Sequence, residues 1–155
     1  MNINDTIVSQ STPKGVGPTA VIRVSGKNSI DIVNKIFPSK DLNKVDSHTI
    51  HFGSIIYDKV IIDEVVISIF KEPRSYTKEN IVEISCHGSE IIIKKIILSL
   101  IDLGARTAER GEFTFRSFIN GNIDLSQAEA VSDLISGKSE NAHKIAINHL
   151  KGVFS

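Results

Sequence analysis

The stretch NIVEISCHGSEIIIKKIILSLIDLG, Asn80 to Gly104, changes its hydrophobic period part-way along, and the rest of the chain is read from that change. From Asn80 to His87 the period is two. Val82, Ile84 and Cys86 share one face, while Ile81, Glu83, Ser85 and His87 share the other, as in a central or half-buried strand. From Ser89 the period becomes helical, with Ile92, Ile93, Ile96, Ile97, Leu100 and Ile101 recurring on one side. Ser89 suits the N-cap, and Gly104 suits the position just past the helix end.

Upstream, Thr6 to Ser9 and Ala20 to Ser25 are β-branched runs separated by Thr12-Pro13-Lys14-Gly15-Val16-Gly17-Pro18, so the reading is strand, loop, strand. Ser29 to Phe37 has helical spacing at Ile32, Val33 and Ile36 and is stopped by Pro38. His48 to Tyr57 and Val60 to Phe70 are strand-like runs joined by Asp58-Lys59, a connection short enough for an antiparallel hairpin.

Downstream, Ala105 to Asn122 mixes Arg106, Arg110 and Arg116 with Phe113, Phe115 and Phe118 and ends in Asn120-Gly121; a strand and loop are expected there. From Asp124 the pattern is helical, with a capping box from Asp124 and Gln127 or from Ser126 and Glu129. A second helix is expected from about Ser139, with apolar positions at Ala142, Ile145, Ala146, Leu150 and Val153. These suggest a helix of a larger helical domain or one packed on a partner. Strands first and helices last predict an α+β fold with a mixed or antiparallel sheet and packed helices.

The 155 residues suffice for a substantial core, and 41% hydrophobic with 23% charged residues is ordinary for a globular chain. Eighteen basic side chains balance eighteen acidic ones, so no global field selects a polyanion. One cysteine, Cys86, excludes an internal disulfide, and with no signal-peptide pattern the expected compartment is a reducing cytoplasm. The most apolar stretch, Ile91 to Leu103, is interrupted by Lys94, Lys95 and Asp102 and is too short to span a bilayer.

Cys86-His87-Gly88 lacks further ligands at a recognisable spacing, and Cys86 falls on the apolar face of its strand, so a structural thiol is favoured. His48 and His51, three apart, would point to opposite faces of a strand. Lys14-Gly15-Val16-Gly17 lacks phosphate-loop spacing and precedes a strand; the chain contains no complete phosphate-binding loop and is not expected to hydrolyse GTP alone. The Arg110 to Phe118 cluster fits core aromatics with surface arginines, or stacking on single-stranded RNA. Arg23 and Glu83 each sit in a strand among apolar neighbours. They either form salt bridges or face solvent, or they line a pocket in which the carboxylate accepts paired donors of a pterin or guanine edge.

Asp5-Thr6-Ile7-Val8, Val21-Ile22-Arg23-Val24-Ser25-Gly26, Ser75-Tyr76-Thr77 with Glu79 and Glu83, Cys86-His87-Gly88, Gly111-Glu112-Phe113-Thr114, Asn120-Gly121 and Gln127-Ala128-Glu129-Ala130 follow one another in an order that resembles the MnmE (TrmE) family of tRNA-modification GTPases. The resemblance covers nearly the whole chain. It implies a fold similar to the folate-binding domain of glycine-cleavage aminomethyltransferase, with residues 1–121 forming a folate-binding and dimerisation domain and 122–155 the first helices of a helical domain. It implies a reduced folate, formyl- or methylene-tetrahydrofolate, as cofactor, and a homodimer. In the complete proteins it implies GTP, Mg and K in a separate G domain, and action on tRNA with an MnmG-type FAD protein. Catalytic residues and metal ligands are expected to be absent from this segment. The family's folate-contacting arginine and glutamate fall on Arg23 and Glu83, and a third folate position, lysine in the family, is Asn122. Other departures are Lys78 for glycine, Asn80 for aspartate, Arg110 for proline and Ser117 for alanine. Rival readings are a free-standing folate-dependent aminomethyltransferase and a dimerisation module that ignores folate.

Overall fold

A computed structural model of the chain describes residues 4–136, 147–148 and 151. Its elements run β1 (Ile7–Gln10), β2 (Thr19–Ser25), α1 (Ser29–Asn34), a 3-10 turn (Leu42–Lys44), β3 (Thr49–Tyr57), β4 (Val60–Phe70), β5 (Ile81–His87), α2 (Glu90–Asp102), β6 (Arg106–Thr107), α3 (Glu112–Ile119) and α4 (Leu125–Ser136). Six strands form one sheet in the order β3-β4-β5-β2-β1-β6. Only β1 and β6 pair in parallel, the other neighbours being antiparallel. The fold is therefore α+β with a mixed sheet. Among the described residues, no helix is long and apolar enough to cross a membrane.

Contacts divide the chain into two units, Met1–Ser75 with Glu79–Glu109, and Tyr76–Lys78 with Arg110–Ser155. The first holds the sheet, α1 and α2. Its core lies on one sheet face, where Ala20, Ile22 and Val24 of β2, Val82, Ile84 and Cys86 of β5, and Ile67 and Ile69 of β4 cluster with α1 and α2 through Ile32, Val33, Ile93, Ile96 and Leu100. Full burial of each large aliphatic side chain stabilises by about 1.5–3 kcal/mol, so the alternation in the strands determines which face carries the helices.

The local chemistry explains the element ends. Asp58 and Lys59 both have positive φ, 51° and 64°, as the tight two-residue turn between β3 and β4 requires. Ser89 caps α2 by accepting from the Ile92 N–H. At the other end Gly104 has φ 117°, its N–H donates to the Ile101 carbonyl, and the Ala105 N–H donates to Leu100. That pair of bonds is a Schellman closure, which favours glycine.

The second unit corrects one expectation. Between Ala105 and Asn122 the structure has only the two-residue β6 as strand, followed by helix α3. The alternation of Phe113 and Phe115 imitates a strand period, but Glu112 and Arg116 are an i,i+4 pair, 3.5 Å apart and both buried, which only a helix brings together. Asn120-Gly121 forms the expected turn, here at the end of that helix: Gly121, at φ 79°, donates its N–H to the Phe118 carbonyl. The capping box forms from Asp124 and Gln127, each side chain accepting the other's backbone N–H at 2.7 and 2.9 Å. The helix expected from Ser139 falls outside the described residues apart from 147–148 and 151.

Gly88 abuts the turn before β2 so closely that an added Cβ would lie 2.0 Å from the Gly17 carbonyl oxygen. Backbone atoms cannot yield cheaply there. Gly88→Ala is expected to destabilise the chain by about 2 kcal/mol or more, read as a lower urea midpoint with an unchanged m-value.

Candidate functional site

On the sheet face opposite the helices, strand register assembles a row of polar side chains. Ser9 of β1 lies opposite Arg23 of β2, Arg23 opposite Glu83 of β5, and Glu83 opposite Ser68 of β4. Ile50 of β3 continues the row beyond Ser68. Alternation keeps the neighbouring core residues Ile22, Val24, Val82 and Ile84 on the helix side, so the charged pair is held by a rigid ladder while its own side stays open. Arg23 Nε donates to Glu83 Oε2 at 3.0 Å, and the two side chains retain 26% and 25% exposure. The sequence-derived pair is thus brought together, each partner meeting the other's need for an opposite charge.

A second carboxylate, Glu79, lies in the loop before β5 and bonds to the strand that carries Arg23. Ser25 Oγ donates to Glu79 Oε1 at 2.8 Å. The loop carrying Glu79 is tied down by Asn80, whose carbonyl accepts from the Gly26 N–H and from Ser29 Oγ, and whose Oδ1 accepts from the Glu72 N–H. An amide oxygen performs this last role as an aspartate would, so Asn80 keeps the loop anchored. Glu79 stands just after the Ser75-Tyr76-Thr77 motif, where nothing local to the sequence marks it as a site residue. The missing signal was the β2–β5 register, which single-strand patterns do not contain.

Asn122 belongs to the second unit. Its Nδ2 donates to the Tyr76 carbonyl at 2.9 Å and to Ser117 Oγ at 3.3 Å. Ser117 Oγ donates to the same Tyr76 carbonyl, and Asn120 Nδ2 donates to the Thr77 carbonyl at 2.8 Å. Lys78, next in line, has φ 61°, a left-handed conformation that glycine adopts more readily.

The remaining candidates are structural. Cys86 is 2% exposed, and burial, with Asp63 adding to it, pushes its thiol up from 9.0 to about 11, which makes a thiolate nucleophile unavailable near neutrality. His87 meets Asp63 through Nδ1 at 2.9 Å, while its backbone N–H donates to the same carboxylate. His48 precedes β3 in a left-handed conformation and packs edge-on against Phe70. Among the described residues, no group of three or more His, Cys, Asp or Glu side chains could hold a metal ion. Phe115 and Phe118 are each 39% exposed on α3.

The sheet and its polar row define an α+β domain with one face buried under helices and a partly exposed Arg–Glu pair on the other. The family described as GTP-binding protein TrmE N-terminus matches residues 6–122, and the chain belongs to that family. It is similar to the tRNA modification GTPase MnmE of Cytophaga hutchinsonii, 50% identical over 154 residues that cover 99% of this chain and 34% of the relative. It is likewise similar to that of Flavobacterium psychrophilum, 52% identical over 158 residues covering 100% and 34%, and that of Flavobacterium johnsoniae, 51% over 154 residues covering 97% and 33%. The chain thus spans about one third of the length of these relatives.

Two outcomes are expected from these groups. A double-mutant cycle on Arg23→Ala and Glu83→Ala should give a stability coupling of about 0.2–1 kcal/mol, the range of partly exposed pairs, falling with added salt. The Cys86 thiol, with its pKa raised on folding, holds its proton longer than in the unfolded chain. Its contribution is therefore constant at lower pH and is lost as pH climbs from about 9 towards about 11. Urea titrations across that range should show a steeper decline for the native chain than for Cys86→Ala.

Proposed function

We propose that this chain is the reduced-folate-binding and homodimerising part of a longer GTPase that modifies the wobble uridine of tRNA. Residues 1–121 serve folate and dimer formation in this reading, and 122–155 begin a helical domain. The observation that carries it is the Arg23–Glu83 pair, about a quarter exposed on the sheet face opposite the helices. The residues fit the ligand's chemistry. A carboxylate accepts about four hydrogen bonds, so the Arg23 contact leaves Glu83 capacity for the paired N–H donors of a pterin, while Arg23 fixes the carboxylate's orientation. Reduced folate, as formyl- or methylene-tetrahydrofolate, supplies the one-carbon unit when bound. In the full-length protein GTP, Mg and K belong to a separate G domain, an MnmG-type FAD protein and tRNA are the partners, and the setting is cytoplasmic.

Dimer formation has its own support. Ile50 and Phe52 of β3 are 71% and 69% exposed on the face that carries the pair, and neighbouring exposed apolar side chains with polar groups at their margin suit an interface, whose core is apolar and whose rim is polar. Asn122, whose amide is engaged with Tyr76, supplies no positive charge for a folate tail. This favours, as a second reading, a dimerisation module with weakened folate binding.

Isothermal titration of the 155-residue chain with formyl-tetrahydrofolate, with light scattering on the same sample, tests both readings. Saturable binding to a dimer is expected, and Glu83→Ala should weaken it at least about tenfold, the value of one or two charge-assisted hydrogen bonds. Equal binding by that variant would remove Glu83 from the site; a dimer without binding would leave the dimerisation module.

A further inference from the structure

A cavity of the first unit lies beside α2, on the side of the sheet that carries the helices. It has a volume of about 420 Å³ and lies between α2 and β1, lined by Val8, Ile97 and Ile101 together with Lys14, Lys94 and Glu90. Val8 pairs with Val24 while Ser9 pairs with Arg23, so strand alternation points Val8 to the helix-bearing side and away from the proposed folate groups. The volume is within the usual range of small-ligand pockets, about 300–1,000 Å³.

Its composition selects a ligand. The aliphatic side chains form an apolar surface, and two lysines against one glutamate leave the lining with one positive charge in excess. Both lysines are exposed, and an ammonium that stays hydrated while its stem lies along apolar surface can meet an anion at the mouth without being desolvated itself. Lys14 and Gly15 arrive on the loop between β1 and β2, whose Lys-Gly-Val-Gly sequence is no phosphate loop; here the loop forms a wall of the cavity. The groups on α2 come from a single helix face, Glu90, Lys94, Ile97 and Ile101, spaced three and four apart.

We propose that this cavity is a binding site for a small amphiphilic organic anion, an aromatic or aliphatic body carrying one carboxylate or sulfonate, separate from the folate site. The apolar body takes the Val8, Ile97 and Ile101 surface, and the acid group meets Lys14 and Lys94.

The probes are 1-anilinonaphthalene-8-sulfonate, read by its fluorescence, and decanoate as competitor, titrated into the 155-residue chain. One saturable site per chain, displaced by decanoate, is expected. Lys94→Glu, a change at an exposed position, should weaken it at least about fivefold, and Lys14→Glu combined with it further, with unchanged circular dichroism and thermal midpoint. Glu83→Ala should leave the affinity unchanged, and the neutral analogue N-phenyl-1-naphthylamine should bind alike to the native chain and to Lys94→Glu. Non-saturable fluorescence, equal sulfonate affinity in the doubly reversed variant, or loss of binding in Glu83→Ala would each overturn the proposal. In the last case the probe would be reporting the open sheet face.

Discussion

The seven-residue antiparallel ladder between β2 and β5, from Thr19 opposite His87 to Ser25 opposite Ile81, is the constraint on which the first unit depends. A slip of one residue along either strand would turn every side chain of that strand to the other face. Ala20, Ile22 and Val24 would then leave the core they share with Val82, Ile84 and Cys86, and Arg23 would enter it. The hydrophobic cost of such a slip fixes the register far more firmly than the Arg23–Glu83 ion pair does, since a pair with a quarter of its surface exposed contributes little. The geometry of the polar site is therefore a by-product of core packing. That is why it can be both open and rigid.

The ladder's two ends are locked by backbone proximity. At one end Gly88 lies against Gly17, and its N–H donates to the Pro18 carbonyl. At the other, Gly26, at φ 142°, lies against Thr6 and donates to the Asn80 carbonyl. Side chains have no room at either place. Asn80 gathers Gly26, Ser29 and Glu72 around one residue, so the loop that presents Glu79 to Ser25 is positioned by the same strand ends that position Arg23 and Glu83.

What the sequence made legible follows from where its information is local. The faces of β2 and β5, the caps of α2, the Asp58-Lys59 turn and the Asp124–Gln127 box are each written within a few consecutive residues, and all are found in the structure. Arg23 and Glu83 were noticed singly, as charges needing partners; that they partner each other depends on register across 60 residues. α3 is not legible as a helix because Phe113 and Phe115 alternate over too short a run to separate two periods. The cavity beside α2 was invisible for the same reason as the ion pair: Lys14 and Lys94 meet only in three dimensions.

Ser117 and Asn122 act together on one backbone segment. Ser117 Oγ and Asn122 Nδ2 converge on the Tyr76 carbonyl and bond to each other, a three-way contact that alanine at 117 could not complete. An amide has two donor hydrogens in a fixed plane and can satisfy a carbonyl and a hydroxyl at once, whereas a lysine ammonium sits at the end of a flexible stem and gains most where it reaches an anion. Ser117 and Asn122 therefore form a fixed clip on the Tyr76 carbonyl, where a lysine at 122 would supply a mobile charge. The clip holds the residues just before Lys78, which adopts a left-handed conformation at φ 61°. A strained residue at the end of a clipped segment costs less than the same residue in a free one, because the neighbouring bonds already restrict the alternatives. Order at Tyr76–Lys78 is therefore supplied by Ser117, Asn120 and Asn122 of the same unit.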